Sequence, residues 1–133
     1  MLYPIFKKQI QRKETINTMK LVEITKDDFK NFSGIDLEIE FANGNYDSEN
    51  MPEIFINKVQ TSLINTLKAN YPYFRNKLAL NDDKLENKQE EQAFFEALLF
   101  QIEYVLKTRN IDDIDKKCHS TLKGNGLICL YDY

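Results

Sequence analysis

Residues 93–106 read AFFEALLFQIEYVL, and apolar side chains occupy most of these positions. On a helical period of 3.6 residues they form two adjacent stripes: Phe94, Leu98, Ile102 and Val105, and Phe95, Leu99, Ile102 and Leu106. The polar set is small, namely Glu96, Gln101 and Glu103. A surface helix needs only one apolar stripe, so we expect this helix to be covered on most sides, by other elements of the chain or by other chains.

The length of the chain predicts one domain, because 133 residues can build a single modest core. The charge is unevenly distributed. The first 20 residues carry a net charge of +4, whereas the remainder carries −7, for a total of −3. The sequence therefore indicates a basic N-terminal arm, residues 1–20, on an acidic body.

Two cysteines, Cys118 and Cys129, are too few for a disulfide scaffold and indicate free thiols in a reducing compartment. No apolar run approaches the ~20 residues of a membrane span, and the N-terminal segment lacks the pattern of a signal peptide. We therefore expect a soluble protein that is not secreted and does not associate with a membrane.

Two helices are predicted before residue 72. Thr25 and Asp28 fit a capping box that opens a short helix, and this helix stops at Ser33 and Gly34. Pro52 suits the first turn of a second helix, which ends at the Tyr71–Pro72 pair because a residue before proline disfavours the helical region.

Two further helices are predicted after residue 80. The charged stretch 81–92 consists of strong helix formers and leads into the apolar helix at residues 93–106. Asn110 then suits an N-cap, Gly124 suits a C-terminal cap, and apolar residues recur between them on one face.

Two segments have β character. Residues 35–41, IDLEIEF, alternate between apolar and acidic side chains, which predicts a strand with one buried face. The alternative is an extended loop whose Ile35 and Leu37 insert into a helical core. The C-terminal segment, LICLYDY, is apolar and β-prone and requires a partner. The fold class is therefore all-α, with a four-helix domain at residues 21–126, a small β element as an option, and an extended tail at residues 127–133.

The sequence predicts no catalytic, cofactor-binding or metal-binding residues. His119 follows Cys118 directly, and adjacent helical residues point about 100° apart, so the two do not form a nucleophile and base pair. A surface histidine is the favoured interpretation. Phosphate-binding loops, zinc-protease motifs and paired-cysteine motifs do not occur in the sequence.

The basic arm carries the candidate contacts with nucleic acid, since Tyr3 and Phe6 interleave with basic residues that can neutralise phosphates: Lys7, Lys8, Arg12 and Lys13. The same charges suit an acidic protein surface. The acidic body argues against nucleic-acid binding as the main role.

The order of the motifs resembles the head-tail connector, or adaptor, proteins of tailed phages. In that family a short helix ends in a "TGI-D-L" phrase, matched here by Ser33, Gly34, Ile35, Asp36 and Leu37. A second helix leads to an aromatic-arginine pair, here Phe74 and Arg75. The family's central helix is echoed by Ala97, Gln101, Tyr104, Leu106 and Asn110. A closing "L-x-x-A-G-L" phrase is echoed by Leu122, Gly126 and Leu127. The chain departs from the family at Ile102, at the turn of residues 109–111 and in its arm.

The resemblance implies a structural virion protein with no cofactor. It implies a ring, commonly a dodecamer, that binds the portal protein and joins it to a head-completion, stopper or tail-terminator protein. DNA passes through such a ring without sequence-specific binding. The expected location is the virion neck, with the host cytoplasm as the site of assembly. In relatives a C-terminal segment docks on the portal, here Leu127, Ile128, Cys129, Leu130, Tyr131 and Tyr133, where an added strand would suit its composition.

A ring also requires subunit interfaces, and we expect Tyr71, Tyr73, Phe74 and Arg75 to contribute, since aromatic residues and arginine are enriched at protein contacts. The alternative is that the aromatic residues only close the core. The competing functions are a small inhibitor or immunity-type protein that binds one partner through its acidic surface, and a nucleic-acid-binding module led by the arm.

Overall fold

The computed structural model describes residues 20–42 and 51–129, and every regular element in these two ranges is an α-helix. The helices are α1 (Lys26–Ser33), α2 (Leu37–Ala42), α3 (Met51–Asn70), α4 (Pro72–Leu80), α5 (Lys88–Thr108) and α6 (Lys116–Gly124). The all-α prediction is confirmed, with six helices in the described ranges where four were expected.

Helix α5 forms the centre of the fold and packs against α1, α3 and α6. It begins after Asn87, whose side chain accepts a hydrogen bond from the Glu90 N–H at 2.9 Å. Its first predicted stripe is buried throughout: Phe94, Leu98, Ile102 and Val105. Along the second stripe Leu99 is buried, whereas Phe95 and Leu106 are only half-buried. The single chain therefore covers one stripe fully and leaves the second partly exposed.

Helices α1 and α2 form a corner at Gly34. The predicted capping box is present, because Thr25 and Asp28 each accept a hydrogen bond from the other's backbone N–H. Gly34 ends α1 in the left-handed region, at φ 78°, which a glycine adopts without steric cost. The chain turns there and enters α2 immediately.

The predicted strand at residues 35–41 is wrong, since Leu37–Ala42 is helical. The Asp36 carboxylate accepts a hydrogen bond from the Glu38 N–H at 2.9 Å and so caps the first turn. Leu37 is buried and Phe41 is half-buried, four residues apart, whereas Ile39 points outward. The alternative of an extended loop is also wrong, because most of the segment is helical. Its prediction that Ile35 and Leu37 contribute to the core is correct.

Helix α3 ends at Asn70 as the Tyr71–Pro72 pair predicts, but the same proline then begins a helix that the sequence analysis did not predict. Pro72 lies in the first turn of α4, where its missing N–H costs nothing. Phe74 and Leu78 lie four residues apart on the buried face of α4. The chain then turns through Asp82 and Asp83, both at positive φ, before α5 begins.

Helix α6 begins at Lys116, not after Asn110, because Asp115 is its N-cap. The Asn110 side chain instead accepts a hydrogen bond from the Asp112 N–H at 3.1 Å, which closes a local turn. Residues 110–115 therefore form a loop between α5 and α6.

The C-terminal end of α6 closes at Gly126 and not at Gly124. The Leu127 N–H donates to the Leu122 carbonyl at 2.9 Å, and the Gly126 N–H donates to the Lys123 carbonyl at 3.2 Å. With Gly126 at φ 75°, this is the Schellman arrangement. Leu122 and Leu127 are both buried, so the turn is fastened to the core.

Candidate interaction surfaces

The titratable side chains of α6 do not form a reactive pair. Cys118 is buried, and burial raises the pKa of its thiol, so that the thiol stays protonated at neutral pH. His119 points elsewhere, with Nε2 2.9 Å from the Tyr71 hydroxyl. Both cysteines are free. Within residues 20–42 and 51–129, no group of three His, Cys, Asp or Glu side chains is placed to hold a metal ion.

The contact between Tyr71 and His119 ties α6 to the junction of α3 and α4. It borders an open hollow of about 490 Å³, with Asp112, Asp113 and Lys116 at its rim. Tyr71 is half-buried and engaged within its own chain, so its predicted place in a subunit interface receives no support from exposure.

Two buried glutamines hold extended segments of backbone against the helices. Gln60, on α3, accepts hydrogen bonds from the N–H groups of Leu21 and Val22 at 2.9 and 3.1 Å and donates to the Val22 carbonyl at 3.1 Å. Gln101, on α5, donates to the Asp113 carbonyl at 2.7 Å and accepts from the Asp115 N–H at 2.9 Å. Both side chains are almost fully buried.

The sequence places Gln101 in the small polar set of the central helix, and the structure buries it. A polar residue inside an apolar run is the signal that was available. Its partners are backbone groups in a loop at residues 110–115, which no periodicity in the sequence reveals. The other two residues of the polar set differ in exposure, since Glu96 is exposed and Glu103 is half-buried.

We expect Gln101→Ala to lower the free energy of unfolding by about 1–3 kcal/mol, because it leaves a partly buried carbonyl and a partly buried N–H without their partner. Urea denaturation of the full chain measures the change. Gln92→Ala, at an exposed position of the same helix, is the matched control and should stay within about 0.5 kcal/mol of the parent. Equal effects of the two substitutions would contradict the role assigned to Gln101.

One exposed apolar surface lies at the corner between α1 and α2, where α1 packs on α5, and we call it the α1–α2 surface. It consists of Phe32 on α1 and the half-buried Phe100 on α5, and Ile39 on the adjoining α2 is exposed as well. Phe32 is 38% exposed and Ile39 63% exposed. The rings of Phe32 and Phe100 meet edge to face at 5.1 Å between centroids. The Lys117 ammonium lies 5.7 Å from the Phe100 ring centroid.

A second exposed apolar surface lies on α4, and we call it the α4 surface. It consists of Tyr73, Lys77 and Leu80, because residues seven apart on a helix share nearly the same azimuth. Tyr73 is 44% exposed and Leu80 89% exposed. The Lys77 ammonium between them binds Glu90 at 2.7 Å and Glu86 at 3.4 Å. The hydrogen bond that the Lys77 ammonium donates to the Glu90 carboxylate raises the pKa of Lys77, and the carboxylate offsets the positive charge locally.

The predicted interface residues therefore separate in the structure. Tyr73 lies on the α4 surface, and Phe74 lies wholly in the core. Arg75 is exposed, but two helical residues rotate it about 200° away from Tyr73. For Phe74 the burial favours the alternative in which the aromatic side chain only closes the core.

The two surfaces belong to helices that do not pack on one another. Phe41 on α2 meets Phe55 near the start of α3, with 5.3 Å between ring centroids. Helix α4 follows the other end of α3, about 22 Å along its axis from Phe55. Among the described helices, α4 packs against α3 and not against α1 or α2.

The tail prediction needs a correction at its first two residues. Leu127 and Ile128 belong to the core of the chain, so neither is free to dock on a partner. Cys129 is half-buried. The other predicted docking residues, Leu130, Tyr131 and Tyr133, lie outside the described residues. The arm contacts also lie outside them: Lys7, Lys8, Arg12 and Lys13.

Comparisons with known proteins found no relative of this chain. No protein-family model, no curated protein and no solved structure matches the chain. In the part of the chain that the structure describes, no helix has both the length and the apolar character needed to cross a membrane.

Proposed function

We propose that this chain is a structural subunit of a tailed-phage neck, a head-tail connector that forms a ring with copies of itself beneath the portal protein. The observation that supports this most directly is the pair of exposed apolar surfaces on helices that do not pack together. Each surface carries large side chains that folding of one chain leaves in water.

Two different surfaces on one chain suit a ring. In a cyclic assembly beyond a dimer, each subunit presents one face to the preceding copy and a different face to the following copy. A dimer with two-fold symmetry needs only one self-complementary face. The distribution of exposed apolar side chains on α1, α2 and α4 therefore favours head-to-tail assembly over two-fold pairing.

The phrases that carry the family resemblance have structural roles in the fold. The SGIDL phrase at residues 33–37 is the corner between α1 and α2, with Gly34 in the left-handed region and Leu37 in the core. The KGNGL phrase at residues 123–127 is the Schellman turn after α6. Both motifs shape the scaffold and carry no reactive groups, as expected of an assembly protein.

The acidic body suits a channel through which DNA passes. Residues outside the basic arm carry a net charge of −7, and a surface of the same sign as the phosphates does not retain them. The proposed partners are the portal protein on one side of the ring and a head-completion, stopper or tail-terminator protein on the other.

Native mass spectrometry and negative-stain microscopy of the full chain, alone and mixed with portal rings of the phage that carries this sequence, test the proposal. We expect closed rings of one fixed copy number, either in solution or on the portal. A chain that stays monomeric and does not join the portal overturns the proposal. A stoichiometric complex between a monomer and another protein would instead support the inhibitor hypothesis.

A further inference from the structure

Resting on the proposed function, we infer that the ring interface is formed by the α4 surface of one copy and the α1–α2 surface of the next. In this arrangement Leu80 packs on the Phe32–Phe100 pair, and the Lys117 ammonium of that copy faces the Asp82 and Asp83 carboxylates of its neighbour. The occupant of each surface is a second copy of this chain.

The apolar part of the inference rests on exposure. Leu80, in the last turn of α4, is 89% exposed, which leaves a large aliphatic side chain almost entirely in water. The Phe32–Phe100 pair offers an aromatic contact of matching character, with Phe32 38% exposed. Aromatic and aliphatic anchors of this kind dominate the energetics of protein interfaces.

The electrostatic part of the inference rests on charges of opposite sign that lie beside the two apolar surfaces. The Lys117 ammonium lies over the Phe100 ring and makes no ion pair with a carboxylate of the described residues. The turn after Leu80 exposes Asp82 and Asp83 against a single lysine, Lys84, and neither aspartate forms an ion pair within residues 20–42 and 51–129.

These signs disfavour self-pairing of either surface. Two copies of the α1–α2 surface in contact would bring one Lys117 towards another. Two copies of the α4 surface in contact would bring together the two aspartate turns. Like charges across an interface disfavour a complex, whereas the head-to-tail contact places lysine against aspartate. The same head-to-tail pairing generates a closed ring when the rotation from each subunit to the next adds up to a full turn.

A charge exchange tests the inference on the full chain. We expect Lys117→Glu alone to weaken self-association about tenfold, and we expect Asp82→Lys with Asp83→Lys to do the same, since each places like charges across the contact. The variant that combines all three substitutions should recover most of the affinity. Lys123→Glu, at an exposed position of α6 on another side of that helix, is the matched control and should leave association unchanged. Sedimentation velocity over a concentration series measures each variant.

A mixing experiment tests the head-to-tail geometry independently. Leu80→Asp disables the α4 surface, and Phe32→Ser disables the α1–α2 surface, so neither variant should form rings alone. Mixed in equal amounts, they retain one intact contact and should form a dimer and nothing larger. Circular dichroism verifies the helical content of each variant, and if Phe32→Ser unfolds, the charge exchange alone decides.

The outcomes separate the inference from the proposed function. Rings that persist unchanged in the single-surface variants, or a combined charge variant no better than its parents, overturn the assigned interface and leave the connector role standing. A parent chain that never associates with itself or joins a portal overturns both.

Discussion

We expect Phe74→Ala to lower the free energy of unfolding by about 3–5 kcal/mol, because it leaves a cavity in the core. Phe74 is fully buried on the inner face of α4 and belongs to the same core cluster as Phe94 and Leu98 of α5. Surrounding helices relax only in part when a ring is removed, so the lost contacts are not regained. Urea denaturation of the full chain, followed by far-UV circular dichroism, measures the change.

Tyr73 provides a matched control one residue away. Its ring is 44% exposed on the α4 surface, so Tyr73→Ala should cost less than about 1 kcal/mol in stability. The same substitution should weaken self-association if the α4 surface is an interface. Should Phe74→Ala leave stability unchanged and abolish assembly, the place of Phe74 in the core would be wrong and the original interface prediction right.

The contrast between these neighbours shows what the sequence could predict. The YPYFR stretch marks an aromatic cluster after a helix end, and the end itself follows from Pro72. Which aromatic side chain points inward depends on the rotation of α4 against α3. That rotation is a tertiary property, and a local pattern of three aromatic residues does not determine it.

The segment at residues 35–41 illustrates a different failure. Alternation of apolar and acidic residues predicts a strand, but α2 is only six residues long and buries Leu37 alone. The Asp36 cap and the ion pairs Lys26–Glu38 and Lys30–Asp36 fasten this short helix to α1. Caps and contacts with a neighbouring helix decided the conformation, and a period counted over seven residues does not include them.

The central helix was predictable because its signal is long. Residues 93–106 carry enough apolar positions that the helix and its buried stripe follow from helical periodicity, although the helix begins only at Lys88 and residues 81–87 of the charged stretch lie before it. Gln101 and Gln60 were not predictable in the same way, since their partners are backbone groups 12 to 39 residues distant along the chain.

The candidate surfaces were only partly predictable. Tyr73 was predicted at an interface, whereas no interface role was predicted for Phe32, Ile39 or Leu80, which the structure leaves exposed. An apolar residue becomes a candidate for assembly only when the packing of its own chain leaves it exposed. That information is absent from hydropathy and present in the fold.

The largest effect at the C-terminus is expected from Leu127→Ala, which should lower the free energy of unfolding by about 2–5 kcal/mol. Leu127 is fully buried, and its N–H donates to the Leu122 carbonyl at 2.9 Å to close the turn after α6. The substitution keeps this hydrogen bond and removes the side chain that anchors the turn in the core. Thermal and urea denaturation of the full chain measure the loss.

This burial changes how docking by the tail has to be tested. Deleting residues 127–133 would remove two core side chains, Leu127 and Ile128, so a loss of portal binding would follow from unfolding alone. A chain that ends at Cys129 retains both and removes only Leu130, Tyr131 and Tyr133 among the proposed docking residues. We expect that chain to keep the stability of the parent and to lose affinity for the portal. Unchanged portal binding by the shorter chain would rule out docking through these residues. A Leu127→Ala variant as stable as the parent would contradict the placement of Leu127 in the core.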